Sequence, residues 1–241
     1  MAFDLPRERI FSVVDVDVRL LDEPSPLEQE NADAIARNWE AETAANPALF
    51  DGEVVLLSAL AYTDGRLVGR CHAVRYSTFL YWRRNRAFTS SEHCFAHAML
   101  VSADGALVAV RMGPHTVNAG CVYFAAGSFE PGDFRGGRVD LHYNMAREVA
   151  EETGLDISAA DRAPSYVAYS AQTGTAIFRR YNLPETADDI AGRIRAFVAA
   201  EADPEIVGPI IIRNAHDLPD GLLPHMRAIV DWHFAGERTG S

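Results

Sequence analysis

The chain has 241 residues, with 22 basic against 34 acidic side chains for a formal charge of -12 and 48% hydrophobic residues, which places it among globular chains of one large or two small domains. Every basic residue is arginine, so Schiff-base chemistry and a P-loop lysine are excluded, and the acidic balance argues against a nucleic-acid polymer as partner. No apolar run of about 18 residues and no basic stretch leading into an apolar one occurs, so the expectation is a soluble, cytoplasmic protein with no membrane partner.

In chain order, residues 10–21 alternate apolar and polar (Phe11, Val13, then Val14, Val16, Val18) and read as one half-buried strand. Residues 26–45 read as a helix. Residues 53–63 and 66–76 flank Asp64-Gly65, a pair that tolerates the positive φ of a tight turn, and predict a β-hairpin. A change of character at residues 87–93 predicts a boundary between an N-terminal region, 1–90, and a second unit, 91–241. Beyond it a second hairpin is expected at 97–101 and 106–111, and a short strand at 121–126. A helix follows at 140–153, with Asp140 as N-cap and Gly154 as the left-handed stop. Strands at 166–170 and 175–181, a helix at 185–201, a β-branched strand at 206–212 and a last helix at about 219–234 complete the reading. Strands mixed with helices in this way imply an α/β (α+β) sandwich.

The helix at 140–153 carries the informative residues. At about 100° per residue, Glu148, Glu151 and Glu152 share one ridge, while Met145, Ala146, Val149 and Ala150 occupy another arc. Like charges at these spacings repel by a few tenths of a kcal/mol per pair, roughly, unless a cation lies between them. Mg²⁺ or Mn²⁺ is the natural cation for an all-oxygen site. The competing reading is a solvated face on which Arg147 pairs with Glu151 one turn on.

The run Arg147-Glu148-Val149-Ala150-Glu151-Glu152-Thr153-Gly154-Leu155 resembles the second half of the Nudix box, G-x5-E-x7-R-E-U-x-E-E-x-G-U with U aliphatic. Every fixed position in that half is filled, and chance occurrence is on the order of 10⁻⁵ for a chain this long. Upstream, Ala126-Gly127-Ser128-Phe129-Glu130-Pro131-Gly132-Asp133 is similar to the box's opening, with Gly127 as its first glycine and Asp133 where the first glutamate stands. Thirteen residues rather than seven separate Asp133 from Arg147, so six extra residues lengthen the loop around 134–139.

The resemblance implies an α/β/α sandwich around a mixed sheet, extended at the N-terminus by a strand, helix and hairpin. It also implies a pyrophosphohydrolase that uses Mg²⁺ or Mn²⁺ to let water attack a nucleoside diphosphate linked to another moiety. Glu151 and Glu152 would hold metal, Glu148 would be a third ligand or the base, the Gly127 carbonyl would complete the shell, and Arg147 would orient a glutamate. Asp133 is a weaker metal candidate. In the N-terminal region, Trp39, Asn46-Pro47, Leu49-Phe50-Asp51-Gly52 and Tyr76-Ser77-Thr78-Phe79 look similar to the branch that hydrolyses UDP-glucose and UDP-galactose, which implies UMP and a sugar 1-phosphate as products. ADP-ribose, another nucleotide, or a nucleotide-sensing role without turnover are the alternatives, and an N-terminal arm would allow a homodimer.

Other clusters are weaker. Tyr81, Trp82, Arg83 and Arg84, continuing through Asn85 to Arg86, could stack a base and hold phosphate, against the simpler reading of an exposed basic turn. His93 and His97 have a helical metal spacing, but their segment reads as strand or loop and lacks the HExxH glutamate. Cys71, Cys94 and Cys121 read as reduced thiols. No G-x-S-x-G elbow supports serine chemistry, and Trp232 and Phe234 read as core.

Overall fold

The structure is a computed structural model that describes residues 2–85, 88–172 and 174–238. Arg86 of the aromatic and arginine cluster, and Ala87 at the start of the expected boundary, lie outside the described residues. The chain runs through β1 (Phe3–Asp4), β2 (Ile10–Val13), β3 (Asp15–Leu21), α1 (Pro26–Ala45), β4 (Glu53–Thr63), β5 (Arg66–Arg75) and α2 (Tyr76–Arg84). It continues with β6 (Cys94–Val101), β7 (Leu107–Met112), β8 (Val122–Tyr123), β9 (Phe134–Arg135), β10 (Arg138–Val139) and α3 (Leu141–Thr153). Last come β11 (Asp161–Arg162), β12 (Tyr166–Ala171), β13 (Gly174–Asn182), α4 (Ala187–Ala200), β14 (Ile206–Ile212) and α5 (Pro224–Arg238).

Two mixed sheets result, as the α/β expectation requires. One has the order β1-β4-β5-β3-β10-β9, the other β14-β7-β6-β13-β12-β2. Parallel pairs β3/β5 and β6/β13 sit among antiparallel neighbours. Strands from both sides of residue 90 share each sheet: β2 lies against β12, and β10 against β3.

The strand expected over residues 10–21 is two strands in two sheets. Phe11 and Val13 are buried, then Val16 and Val18, so the inward positions pass from odd to even numbers across the exposed Val14. Unbroken alternation would make the next position apolar; it is Asp15, half-buried and paired with Arg66 and Arg138. A one-residue change of parity turns the side chains to the opposite face, and here the chain leaves one sheet for the other. The β4–β5 hairpin forms as expected across Asp64-Gly65, both at positive φ.

The first half of β4 is buried on both faces, which accounts for its four consecutive apolar residues, Val54 to Leu57. Val55 and Leu57 join the main core with Met145, Val149 and Ile194, whereas Val54 and Leu56 join a second core with Leu27, Phe79 and Trp82 under α1 and α2. α2 occupies residues read from the sequence as strand end and turn, and the expected strand at 121–126 shrinks to β8. The last helix begins at Pro224 rather than near 219, consistent with proline's preference for a first helical turn. No described helix is long and apolar enough to cross a membrane.

Candidate active site

The helix α3 is held at both ends by the residues its sequence provides. The Asp140 carboxylate accepts from the Tyr143 amide at 3.0 Å, and Gly154 turns left-handed at φ 68°. A Cβ at Gly154 would strike the Phe197 ring from α4, so glycine also lets α4 close over the end of α3. Met145 and Val149 are buried in the main core, which leaves the glutamate ridge facing a cleft.

The six additional residues upstream of α3 form a hairpin. β9 and β10 pair across Gly136 and Gly137, both at positive φ, and β10 adds to β3. The Asp140 amide donates to the Asp133 carbonyl at 2.8 Å, so the insertion closes on itself and leaves the chain where it departed. Asp133 is therefore delivered to α3 despite the longer spacing. Fully buried, it accepts from Asn144 Nδ2 at 2.9 Å, from the Glu130 amide at 2.9 Å, and from Arg147 Nε and Nη2 at 3.3 and 3.2 Å. These partners commit Asp133 to fixing Arg147 in this structure, and the weaker metal candidate is not among the residues lining the cleft.

Arg147 also reaches Glu148 at 2.8 Å and Glu151 at 3.0 Å. The i,i+4 pair of the solvated-face reading is therefore present, but only Glu151 is exposed; Glu148 and Glu152 are buried. Burial works against the charge on Arg147, yet Glu148 and Asp133 outweigh it and hold the guanidinium protonated. Burial pushes the Glu148 carboxyl up to about 8, with Arg147 opposing and Glu151 and Asp133 adding to the rise. Glu152 is pushed well above the ordinary range by burial, then by Glu148 and Glu205.

The Ala126 backbone opposes that rise, but the buried Oε2 of Glu152 has no hydrogen-bond partner. Gly127 lies directly against the Glu148 carboxylate, and any Cβ there would overlap it. Two buried carboxylates, one with an orphaned oxygen, beside a bare stretch of backbone form an oxygen-rich donor set suited to a hard divalent cation. Among the described residues no three acidic, histidine or cysteine side chains already converge as a formed metal site. Arg147 draws Glu148 and Glu151 to itself, so gathering them around an ion requires these side chains to turn.

The cleft has a volume of about 540 Å³. Three stretches of chain line it: Phe50, Gly52, Glu53, Val54 and Tyr76 from the N-terminal region; Gly127, Ser128 and Glu130 with the α3 ridge; and Phe197, Glu201, Asp203, Pro204 and Glu205 from the end of α4 onward. Eight of its residues are carboxylates and one, Arg147, is a cation already held by three of the chain's acids. The sequence reading missed Glu201, Asp203 and Glu205. They lie about 50 residues beyond the box, and only the return of α4 onto α3 brings them to it.

Tyr81, Trp82, Arg83 and Arg84, expected as substrate-binding candidates, do not line the cleft. On α2, Trp82 is core, its Nε1 donating to the Ser91 carbonyl at 3.0 Å. Arg84 is paired with Glu42, Arg83 donates to Asn118 at 3.1 Å, and Tyr81 packs beside Phe88. Only Tyr76, at the start of that helix, reaches the cleft. His93 and His97 lie in or beside β6 and form no helical pair; His97 is buried, its Nδ1 3.0 Å from the Phe124 carbonyl.

No family model and no curated protein matches this chain. Solved structures do. A MutT protein from Methanosarcina mazei Go1 is similar at 14% identity and TM-score 0.40, over 62% of this chain and 96% of the other. A Nudix hydrolase from M. smegmatis, RenU, aligns at 14% identity and TM-score 0.41, over 62% and 88%. The Nudix domain of Shewanella oneidensis NrtR, solved with ADP-ribose, aligns at 13% identity and TM-score 0.40, over 66% and 97%. Likeness at this level says nothing of the activity, which has to come from the residues of the cleft.

Proposed function

We propose that this chain is a divalent-metal-dependent Nudix pyrophosphohydrolase that cleaves the diphosphate of a nucleoside diphosphate linked to another moiety. A UDP-sugar, giving UMP and a sugar 1-phosphate, is the substrate placed first. The observation that carries the proposal is the pairing of buried Glu148 and Glu152, with its orphaned Oε2, against Gly127 in the register of the box.

Glu151, Glu152, Glu148 and the Gly127 carbonyl would hold Mg²⁺ or Mn²⁺. When bound, such an ion neutralises the diphosphate and lowers the pKa of the attacking water. The side chains do the rest. Glu148 is either the third ligand or the base that accepts the proton of the attacking water. Arg147, fixed by Asp133 and paired here with Glu148 and Glu151, orients a glutamate rather than meeting phosphate. No other cation lines the cleft among the described residues, so substrate affinity should depend wholly on metal. Residues 1–90 supply Phe50, Gly52, Glu53, Val54 and Tyr76 to the cleft, which supports their assignment as a recognition region.

The test is kcat/KM for UDP-glucose and ADP-ribose with Mg²⁺ and with Mn²⁺. UDP-glucose is expected to lead. Preference for ADP-ribose would overturn the sugar assignment, and turnover of no nucleoside diphosphate would overturn the hydrolase itself.

A further inference from the structure

We propose that Phe50 is the stacking platform for the nucleobase, a specificity-determining residue that rests on the hydrolase reading above. Phe50 is 82% exposed, the most exposed large apolar side chain among the described residues, and it lines the acidic cleft. An apolar ring left in water costs free energy that a soluble protein usually avoids by burial, and one at the mouth of a ligand cleft is a surface for a partner.

Its backbone is not a loose loop. Leu49, on one side, packs into the second core and its amide donates to the Asn46 carbonyl at 3.2 Å. Asp51, on the other, accepts from the Ser77 amide at 2.7 Å and pairs with Arg75 at 3.4 Å. The Gly52 carbonyl accepts from the Tyr76 amide at 2.8 Å. Gly52 also lets the ring lie against the backbone: a Cβ there would sit 3.3 Å from Phe50 Cε1. The ring thus stands between anchored residues, and a ligand that stacks on it meets a surface whose ordering cost is already met.

The chemistry of the surroundings selects the group that stacks. The side chains of Glu53, Glu201 and Asp203 around the cleft repel phosphate unless metal intervenes. The diphosphate therefore belongs at the α3 ridge. A phenyl ring offers no hydrogen bond, only dispersion with a flat partner, and the base is the flat part of a nucleoside diphosphate.

The experiment measures binding of UMP, of glucose 1-phosphate, and of ribose 5-phosphate, which has the phosphate and sugar but no base, to the full chain with Mg²⁺. Phe50→Ala should raise the Kd for UMP about tenfold or more while changing that for ribose 5-phosphate less than about twofold, and Phe50→Trp should restore UMP binding. Thermal unfolding should be unchanged in both variants, since the side chain is exposed. Equal UMP binding by Phe50→Ala and the parent overturns the platform, as does a loss confined to glucose 1-phosphate, which would give the ring to the sugar. If the parent binds neither UMP nor ribose 5-phosphate with Mg²⁺, the hydrolase reading fails and the platform falls with it.

Discussion

Without metal, the buried glutamates should make the fold weaken as pH rises through neutrality. Glu148 has its carboxyl raised to about 8 by burial, against an ordinary glutamate value near ~4.3 in the unfolded chain. Between those values the folded protein binds a proton that the unfolded chain has released, so stability falls as pH increases and levels off above the folded value. Each pH unit in that window is worth at most about 1.4 kcal/mol. Allowing for side-chain relaxation, the interval from pH 6.5 to 8 should cost about 1–2 kcal/mol, or roughly 5 °C in Tm for a chain of this size. His97 and His225, buried and held below the ordinary imidazole range, act in the opposite sense, but chiefly below about pH 6.5 where the unfolded chain protonates. Thermal unfolding in EDTA over pH 6.5 to 8, on the parent and on Glu148→Gln, isolates the carboxyl. The parent should lose stability across the interval, the variant clearly less, and saturating Mg²⁺ should flatten the parent's curve. A parent curve that is level or rising in EDTA, or a variant with the same slope, would refute the reasoning.

Glu151→Gln and Glu152→Gln should each cut turnover by about 100-fold or more with the fold intact, as steady-state kinetics and circular dichroism would show. Asp133→Asn should reduce turnover less than Glu152→Gln but lower stability more, by about 1–3 kcal/mol in denaturant titration, because Arg147 loses one of its two buried charge partners while Glu148 remains. Gly127→Ala should lower Mg²⁺-dependent turnover in steady-state kinetics, since its Cβ would force the Glu148 carboxylate to move. Trp82→Ala should destabilise the protein by about 3–5 kcal/mol while leaving the ratio of UDP-glucose to ADP-ribose turnover unchanged, as expected of a core residue.

Local signals were legible where they are chemically local. Asp140 and Gly154 mark the ends of α3, Asp64-Gly65 marks the first hairpin, and the Arg147 to Leu155 run marks the ridge. Two further signals were present and read differently. The adjacent Val13 and Val14 announce the change of parity that divides β2 from β3, and Gly136-Gly137 between short alternating pairs announces the β9–β10 hairpin. That hairpin is why the spacing from Asp133 to Arg147 misleads: an insertion that closes on itself changes the count along the chain without moving its ends. The composition of Tyr81 to Arg84 suggested a binding cluster, but α2 turns Trp82 into the second core and Arg84 toward Glu42 on α1. Glu201, Asp203, Glu205 and Phe197 join the cleft through the packing of α4 and its following loop, a tertiary event with no local sequence signature.

The measurement that bears most directly on the central claim is product analysis by mass spectrometry after incubation of UDP-glucose in ¹⁸O-water with the parent chain, with and without Mg²⁺, and with Glu152→Gln. The account predicts UMP and glucose 1-phosphate, with one ¹⁸O in one of the two phosphates, from the parent with Mg²⁺ only. Cleavage that persists in EDTA or in Glu152→Gln, or label in glucose rather than in phosphate, would contradict it.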